Sequence, residues 1–482
     1  MLRYLVRLFY LFSVTSFAVN IPLECHVVVV GGGPGGLHTA YQLSRLPKSN
    51  PDSNVCLIEK EDHLGGRLLD AALDPKRPDL LYGLGALRVM ETQSYVRSLA
   101  AALGIELQLA PYRDDLISTR GFFSFSSDEI NQLAFPALTK SYINNTGHGT
   151  EDAFYDRLLN GPLRHQASLY PDLRSYVTAA LGPQAYHFLP EVYRFRAEFD
   201  YPIDTRSYLD YMDEEMQTCC KPYYPVGGMS AFIRGMATVS RSNGAQIFLR
   251  EPALTISKVN GSYEITTPHH QFLAQKLVLA LDANSFRYLR GDIAERIKSK
   301  PQFQDIIGVK VATVSQKWPN AWWKNAGYPG KDIHRAWTTD HCLHFIEMPI
   351  NPYAAQQNVT RSVYDDDMRC VAFWEQTYRN LGIKAVEAEV MKGLKYLFPK
   401  ADIPAPLNTV VKIWPAAWYY LKIGTKFSNK DVAIWALNPL QGEDVSLVGD
   451  SYFINRSGWS DAAYKSSIGT LNARFGFQIP MP

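Results

Sequence analysis

Val27-Val-Val-Val-Gly-Gly-Gly-Pro-Gly-Gly-Leu-His-Thr-Ala-Tyr-Gln-Leu43 is the stretch from which the fold can be read. Four β-branched residues, Val27–Val30, predict a strand buried on both faces, as in the middle of a parallel sheet. Glycines end it. Apolar residues at 37, 40, 43 and 46 predict a helix over Leu37–Leu46, and Asn54–Glu59 (NVCLIE) predicts a second parallel strand. This β-α-β unit opens a doubly wound sheet. The spacing Gly31-x-Gly33-x-x-Gly36 has a physical use at each position. Gly31 permits the tight turn, Gly33 lets a pyrophosphate approach the backbone, and Gly36 lets helix and strand pack closely. The helix N-terminus adds unpaired N–H groups and a partial positive charge. Glu59, ending the second strand, is placed to accept hydrogen bonds from an adenosine ribose and repels a 2′-phosphate, which argues against NADP. NAD and FAD share this half-site, and the stretch alone does not choose between them.

The remainder supplies more pieces of the same kind. Residues 90 to 225 read as mostly helical, with few strand signals. Residues 245–281 alternate like strands (AQIFLR, SYEITT, KLVLAL), as does 305–317 (DIIGVKVATVSQK). The end of the chain gives a buried strand (VSLVGD), a loop and a helix (GWSDAAYKSSIGTLNARFG). The nucleotide-binding sheet is thus expected to draw on both ends of the chain and its middle. Two more close-approach loops carry cations: Gly65-Gly-Arg67 in LGGRL and Gly83-Leu-Gly-Ala-Leu-Arg88. Gly449-Asp450 closes the last strand, and Gly458-Trp-Ser-Asp461 opens the last helix.

The first residues, MLRYLVRLFYLFSVTSFA, set Arg3 and Arg7 ahead of an apolar run from Leu8 to Ala18, which reads as a signal peptide cleaved after Ala18. A membrane anchor is the alternative, but the run is short for a bilayer. Without those two arginines, 47 basic residues face 47 acidic ones, a near-neutral balance with no basic stripe for nucleic acid. Six cysteines (Cys25, Cys56, Cys219, Cys220, Cys342, Cys370) fit an oxidising compartment. They allow 15 full pairings, among which Cys342–Cys370 is favoured because both sit in strand-like stretches of one later region. No cysteine pair has zinc-ligand spacing with histidine, and no metal is expected. Sequons at Asn144, Asn260, Asn358 and Asn455 are compatible with glycosylation.

These motifs, in this order, resemble the flavin-containing amine oxidase superfamily, and within it the secreted L-amino-acid oxidases of venom and mollusc type. Tyr224-Pro-Val-Gly-Gly-Met229 (YPVGGM) extends the resemblance, which is weak between about 120 and 205. It implies an α/β fold with a Rossmann-like FAD-binding domain assembled from discontinuous segments (23–90, 222–305, 441–482), a mixed-sheet substrate domain (91–129, 306–440) and a helical insertion (130–221). FAD would be held non-covalently by Gly31, Gly33, Pro34, Gly36, Glu59, Gly66, Arg67, Gly85, Ala86, Leu87, Arg88, Ala253, Gly449, Asp450, Trp459 and Ser460. Ser460 would cap the last helix. Asp450, where the family has glutamate, would reach the ribityl chain.

Three residues are expected to act on the substrate. Arg88 would fork onto a substrate carboxylate; a flavin phosphate or a structural acid are its other partners. Trp459 would wall an aromatic cage, or else pack in the core, with Trp418 or Tyr419 as candidates for the facing wall. Lys310 would point inward and hold a water near the flavin, unless it is a surface lysine of an edge strand. The histidines, His148, His165, His187, His334, His341 and His344, receive no role. The resemblance implies oxidation of an L-amino acid by molecular oxygen to a 2-oxo acid, ammonia and hydrogen peroxide. An amine or polyamine oxidase, and a catalytically silent secreted flavoprotein, are the alternatives; a homo-oligomer is compatible with all three.

Overall fold

A computed structural model describes residues 22–110, 113–136, 150–192, 195–216, 221–348, 357–456 and 458–481. The leader up to Ala18, Asn144, His148, Cys219 and Cys220 lie outside the described residues.

The opening unit forms as its sequence dictates. Strand β1 (Leu23–Val30) is followed by helix α1 (Pro34–Ser44) and strand β2 (Val55–Ile58). The helix starts three residues before the apolar periodicity does, because Pro34 presets a helical φ at its first position and Gly35 and Gly36 continue the turn. β1 is the central strand: Val30 pairs in parallel with Ile58 of β2 and with Leu279 of β3 (Gln271–Leu279). Gln246–Phe248 beside β2 and Val445–Leu447 beside β3 extend the parallel set. Ser262–Thr266 and Thr255–Val259 close one side antiparallel, completing seven strands. Three separate parts of the chain therefore build one sheet. Val27 and Val29 pack on one face against α1, and Val28 and Val30 on the other, which is why the run is continuously apolar. Cys25 and Cys56 form a disulfide across β1 and β2.

A second seven-stranded sheet is mixed. It contains β4 (Ile306–Lys317), β5 (Phe345–Glu347), β6 (Val359–Asp365) and β7 (Asn408–Leu421), with Ile333–Thr338, Asp114–Thr119 and Phe122–Ser124 beyond β5. The last two correct the reading of 90–225 as nearly strandless: short strands without strict alternation leave little signal. One face of β4 and β7, through Val309, Val311, Trp414, Trp418 and Tyr420, meets helices drawn from 150–216. The other face, through Ala312 and Val314, meets α2 (Met368–Leu381) and the helix Ile383–Leu397. Cys342 and Cys370 are bonded as expected. The expected reason was wrong, since Cys342 lies in a turn and Cys370 in α2. Helix α3 (Ser460–Phe475) returns to pack on α1. Among the described residues no helix is long and apolar enough to cross a membrane.

Candidate active site

At the carboxyl ends of β1, β2 and β3 the sheet opens into a groove of about 1160 Å³. This is where an open α/β sheet binds a ligand. Gly31, Gly33, Pro34 and Gly36 line it, and three of the glycines differ in what a side chain would meet. A Cβ on Gly31 would lie 2.4 Å from the Ala280 carbonyl oxygen, and one on Gly36 would lie 2.1 Å from that of Gly31. On Gly33 it would meet nothing within 4 Å. The first two glycines are close-packing positions, and the third leaves open backbone at the head of α1. A phosphate run fits there. Glu59 lines the same groove, its Oε2 accepting from Gly32 N–H at 2.7 Å and its Oε1 from Glu61 N–H at 2.9 Å. Burial lifts its carboxyl above the ordinary value, against the pull of those two N–H groups. Each oxygen keeps a lone pair for a ribose hydroxyl. Gly66, Ala253 and Gly449 complete this part of the wall.

The groove runs into a second, smaller cavity of about 190 Å³. Pro34, Arg67, Trp414, Asp450 and Ala463 line both. At this junction the Arg67 guanidinium forks onto the Asp450 carboxylate, with one arm at 2.7 Å, and also donates to the Ala417 carbonyl. Burial opposes the Arg67 charge, but Asp450 more than offsets it, so the group is held above its ordinary value. Gly458 N–H donates to Asp450 at 3.3 Å and aligns the head of α3 with the same point. Ser460 is the first residue of α3, not its cap; Trp459 holds the cap position with extended backbone and no capping bond from its side chain. The expectation of a Ser460 cap is corrected accordingly.

Gly85, Ala86, Leu87, Arg88, Trp459 and Ser460 line the inner cavity. Much of the remaining wall is aromatic. Trp337 stacks on Phe345 at 3.9 Å, and Phe195 meets Trp418 edge-on at 5.7 Å. Gly458 approaches Trp418 so closely that a Cβ on it would lie 3.2 Å from that of the tryptophan, and Trp418 and Trp459 both line the cavity. Tyr419 faces the other way and donates to Asp282 at 2.8 Å. The period-two alternation of β7 thus selects Trp418 over Tyr419.

The cavity also carries charge that the sequence did not announce. Arg88 donates to Glu347 of β5 at 2.7 Å. Arg361 of β6 lies 3.9 Å from the other oxygen of Glu347 and donates to the Gly83 and Gly85 carbonyls at 2.9 and 2.7 Å. Glu198 and Glu215 reach the cavity from the helical part. The Glu215 carboxylate accepts from Trp459 Nε1 at 2.7 Å and fixes that ring. Burial pushes the Glu198 carboxyl well above its ordinary value, although Tyr420 donates to it at 2.6 Å.

Lys310 is not part of this arrangement. Val309 and Val311 project from β4 into the core beside the cavity, and Val311 and Thr313 line it. Lys310 projects from the opposite face, where its ammonium pairs with Glu375 of α2. The expectation of an inward Lys310 is overturned, because alternation says which residues share a face but not which face meets the ligand. Among the described residues no lysine lines the inner cavity and no cysteine lines either one. Glu198, Glu215, Glu347 and Arg361 had no local motif by which to be found.

A family model described as flavin containing amine oxidoreductase matches residues 34–451. Wild-type putrescine oxidase bound to putrescine superposes with a TM-score of 0.65 at 15% identity, over 94% of this chain and 98% of that one. A triple mutant of the same enzyme reaches 0.67 at 15% identity, with the same coverage. Among curated sequences, electron transfer flavoprotein-ubiquinone oxidoreductase is 43% identical over 61 residues in Sus scrofa and 46% identical over 52 in Dictyostelium discoideum. These matches take in 12% and 10% of this chain, and the chain spans about a tenth of the length of either relative, 10% and 9%.

Proposed function

The chain belongs to the flavin-containing amine oxidoreductase family, and we propose that within it this protein is an FAD-dependent oxidase of amines that lack an α-carboxylate. The overall reaction is R–CH2–NH2 + O2 + H2O → R–CHO + NH3 + H2O2. One observation carries the choice of substrate. Arg88, the expected receptor for an amino-acid carboxylate, is already held by Glu347, a buried acid whose other neighbouring cation is Arg361. A substrate carboxylate would compete with Glu347 for that guanidinium, and weakening a buried pair is costly inside a protein. An amine has no such competition to face. The likeness to putrescine oxidase agrees with this reading at the level of the fold.

FAD supplies a two-electron acceptor that oxygen reoxidises. Gly31, Gly33, Pro34, Gly36 and Glu59 would hold its adenosine and phosphate portion, and Arg67, Asp450 and Ala253 the remainder of its length in the groove. Trp459 and Trp418 confine the amine between ring faces that favour a cation as it enters. Glu215 holds Trp459 in one orientation. The apolar walls exclude water, and the head of α3 offers a partial positive charge at the junction of the two cavities. Secretion belongs to the same proposal, supported by the two disulfides among the described residues.

Peroxide release from the flavin-loaded protein, measured on primary amines and L-amino acids in parallel, tests the reading. Amines are expected to turn over and L-amino acids to lag by tenfold or more. Glu347→Gln, which releases Arg88, is expected to narrow that gap. Turnover of L-amino acids without turnover of any simple amine would overthrow the proposal. It would favour instead the second reading, in which the substrate carboxylate replaces Glu347 on the Arg88 fork.

A further inference from the structure

The geometry points to a site for one divalent metal ion of the zinc and manganese type, held by His344, Asp365 and Asp366 behind the wall of the inner cavity. None of the three lines the cavity or the groove. Asp365 ends β6 and Asp366 follows it, while His344 directly precedes β5 and bridges to Tyr364 of β6. One imidazole nitrogen and one oxygen from each carboxylate all lie within 4.8 Å of one another. The pairing of strands brings the histidine to the acids, so the spacing of these residues along the chain carries no metal motif.

Asp365 and Asp366 are wholly buried side by side, and two carboxylates so placed call for a counter-charge. The neighbouring arginines are committed elsewhere. Asp367, the third acid of the row, meets Arg196 at 3.0 Å and Arg369 at 2.8 Å. Among the described residues no lysine or arginine forms an ion pair with Asp365 or Asp366; the basic group beside them is His344. Asp366 accepts from the Arg196 and Ala197 N–H groups at 3.1 and 3.2 Å, one on each oxygen. Asp365 Oδ1 accepts from Asp367 N–H at 3.0 Å, but its Oδ2 accepts nothing among the described residues. A buried oxygen left in this way costs free energy unless something binds it. His344 Nε2 stands 3.8 Å from Asp366 Oδ1, too far for a hydrogen bond. That separation is near the ~3.4 Å that two ligand atoms keep around a tetrahedral ion with bonds of about 2.1 Å.

The donor set selects the ion. A charge of +2 balances two carboxylates and a neutral imidazole. The imidazole favours zinc or manganese over calcium, which takes six or more oxygens. The sulfurs of Cys342 and Cys370 also lie within 4.8 Å of Asp365, but their bond to each other removes them as ligands. Tyr364, Phe195 and Glu198, neighbours in sequence of the ligands and of the N–H groups on Asp366, line the inner cavity. The ion therefore braces that wall and takes no part in the oxidation.

The flavin-loaded protein, stripped with a chelator and desalted, is titrated with Zn2+, Mn2+ and Ca2+ in turn. Elemental mass spectrometry after gel filtration reads the ion retained, and melting curves read its effect. One Zn2+ or Mn2+ per chain is expected, with Tm rising as the logarithm of the free ion, and Ca2+ is expected to do neither. Asp365→Asn removes one charge at constant shape. His344→Asn removes the imidazole at a φ of 52°, which asparagine accepts. Each is expected to raise the Kd for Zn2+ about tenfold or more. Retention of no ion with an unmoved Tm overturns the inference, and leaves the two acids to share a proton. Tighter binding of Ca2+ than of Zn2+, or a Zn2+ affinity that neither variant changes, overturns it too, the latter by placing the ion elsewhere on the protein. Flavin content reports whether each variant folds. Should Asp365→Asn fail to do so, His344→Asn and the wild-type titration carry the decision.

Discussion

Gly33 and Gly36 stand three residues apart, yet a methyl group would meet different surroundings at each. At Gly36 it would drive into the Gly31 carbonyl at 2.1 Å and push α1 off β1. At Gly33 it would stand in open groove. Gly33 is also the cap of α1, with φ −67° and ψ 178°, a conformation any residue adopts, and threonine is about as acceptable as glycine at a cap. Gly33→Thr is therefore expected to leave the thermal stability of the FAD-free protein nearly unchanged while weakening FAD binding tenfold or more. Gly36→Ala is expected to lower stability itself by about 1–3 kcal/mol, as overpacking does. Melting curves with a flavin titration check both. Wild-type flavin affinity in Gly33→Thr would show that the ligand does not cross this backbone. The glycine turn was legible because its geometry is set by neighbours in sequence. Glu347 was not, since its partner Arg88 lies 259 positions away.

Helices α1 and α3 flank the groove and are joined by a buried imidazole. His38 of α1 is within 2.9 Å of Ser467 on α3 through Nδ1 and 2.5 Å of the Tyr95 hydroxyl through Nε2, and Thr39 also reaches Ser467 at 2.7 Å. Burial, helped by the nearby Arg45 charge, lowers the His38 pKa from 6.5 to about 3. The sign of the consequence follows from which state takes up the proton. Below pH 6.5 the unfolded chain binds a proton that the folded chain refuses until about pH 3, so stability falls as pH drops through that window. His334, lowered to about 4 by burial and by Arg335, acts in the same direction. His38→Gln is expected to make the decline of Tm between pH 6.5 and 4 shallower than in the wild type. An unchanged slope would mean that His38 does take up a proton in the folded state. The elements themselves were largely readable. β1, β2, β3 and β4 announced themselves by β-branched runs or alternation, whereas Asp114–Thr119 carries two acids and a serine and did not.

Over the whole molecule, the groove at the sheet's carboxyl edge and the inner cavity meet at Arg67 and Asp450, groups 383 positions apart in sequence. Their walls come from the first sheet, the second sheet and the helical part, so occupation of the groove links regions that are otherwise separate layers. Binding that favours only the folded state stabilises it by about 2.7 kcal/mol when free FAD is 100 times its Kd. Removal of FAD is therefore expected to lower the melting temperature, and readdition to restore it in proportion to the logarithm of the FAD concentration. A melting temperature indifferent to FAD would mean that the groove is not where the cofactor binds.

Local sequence was enough for the parallel sheet, the glycine turn after its first strand and the acid closing its second, because each depends on residues within a few positions of one another. It also placed Arg88, Trp459 and Asp450 in the order that suggested a flavin site. Tertiary structure alone decided what those residues face: Arg88 meets Glu347, Lys310 turns to Glu375, and Trp418 rather than Tyr419 enters the cavity. Spacing along a strand or helix fixes which side chains share a face. Only the packing of layers far apart in the chain fixes which face looks onto the ligand, and which charges meet there.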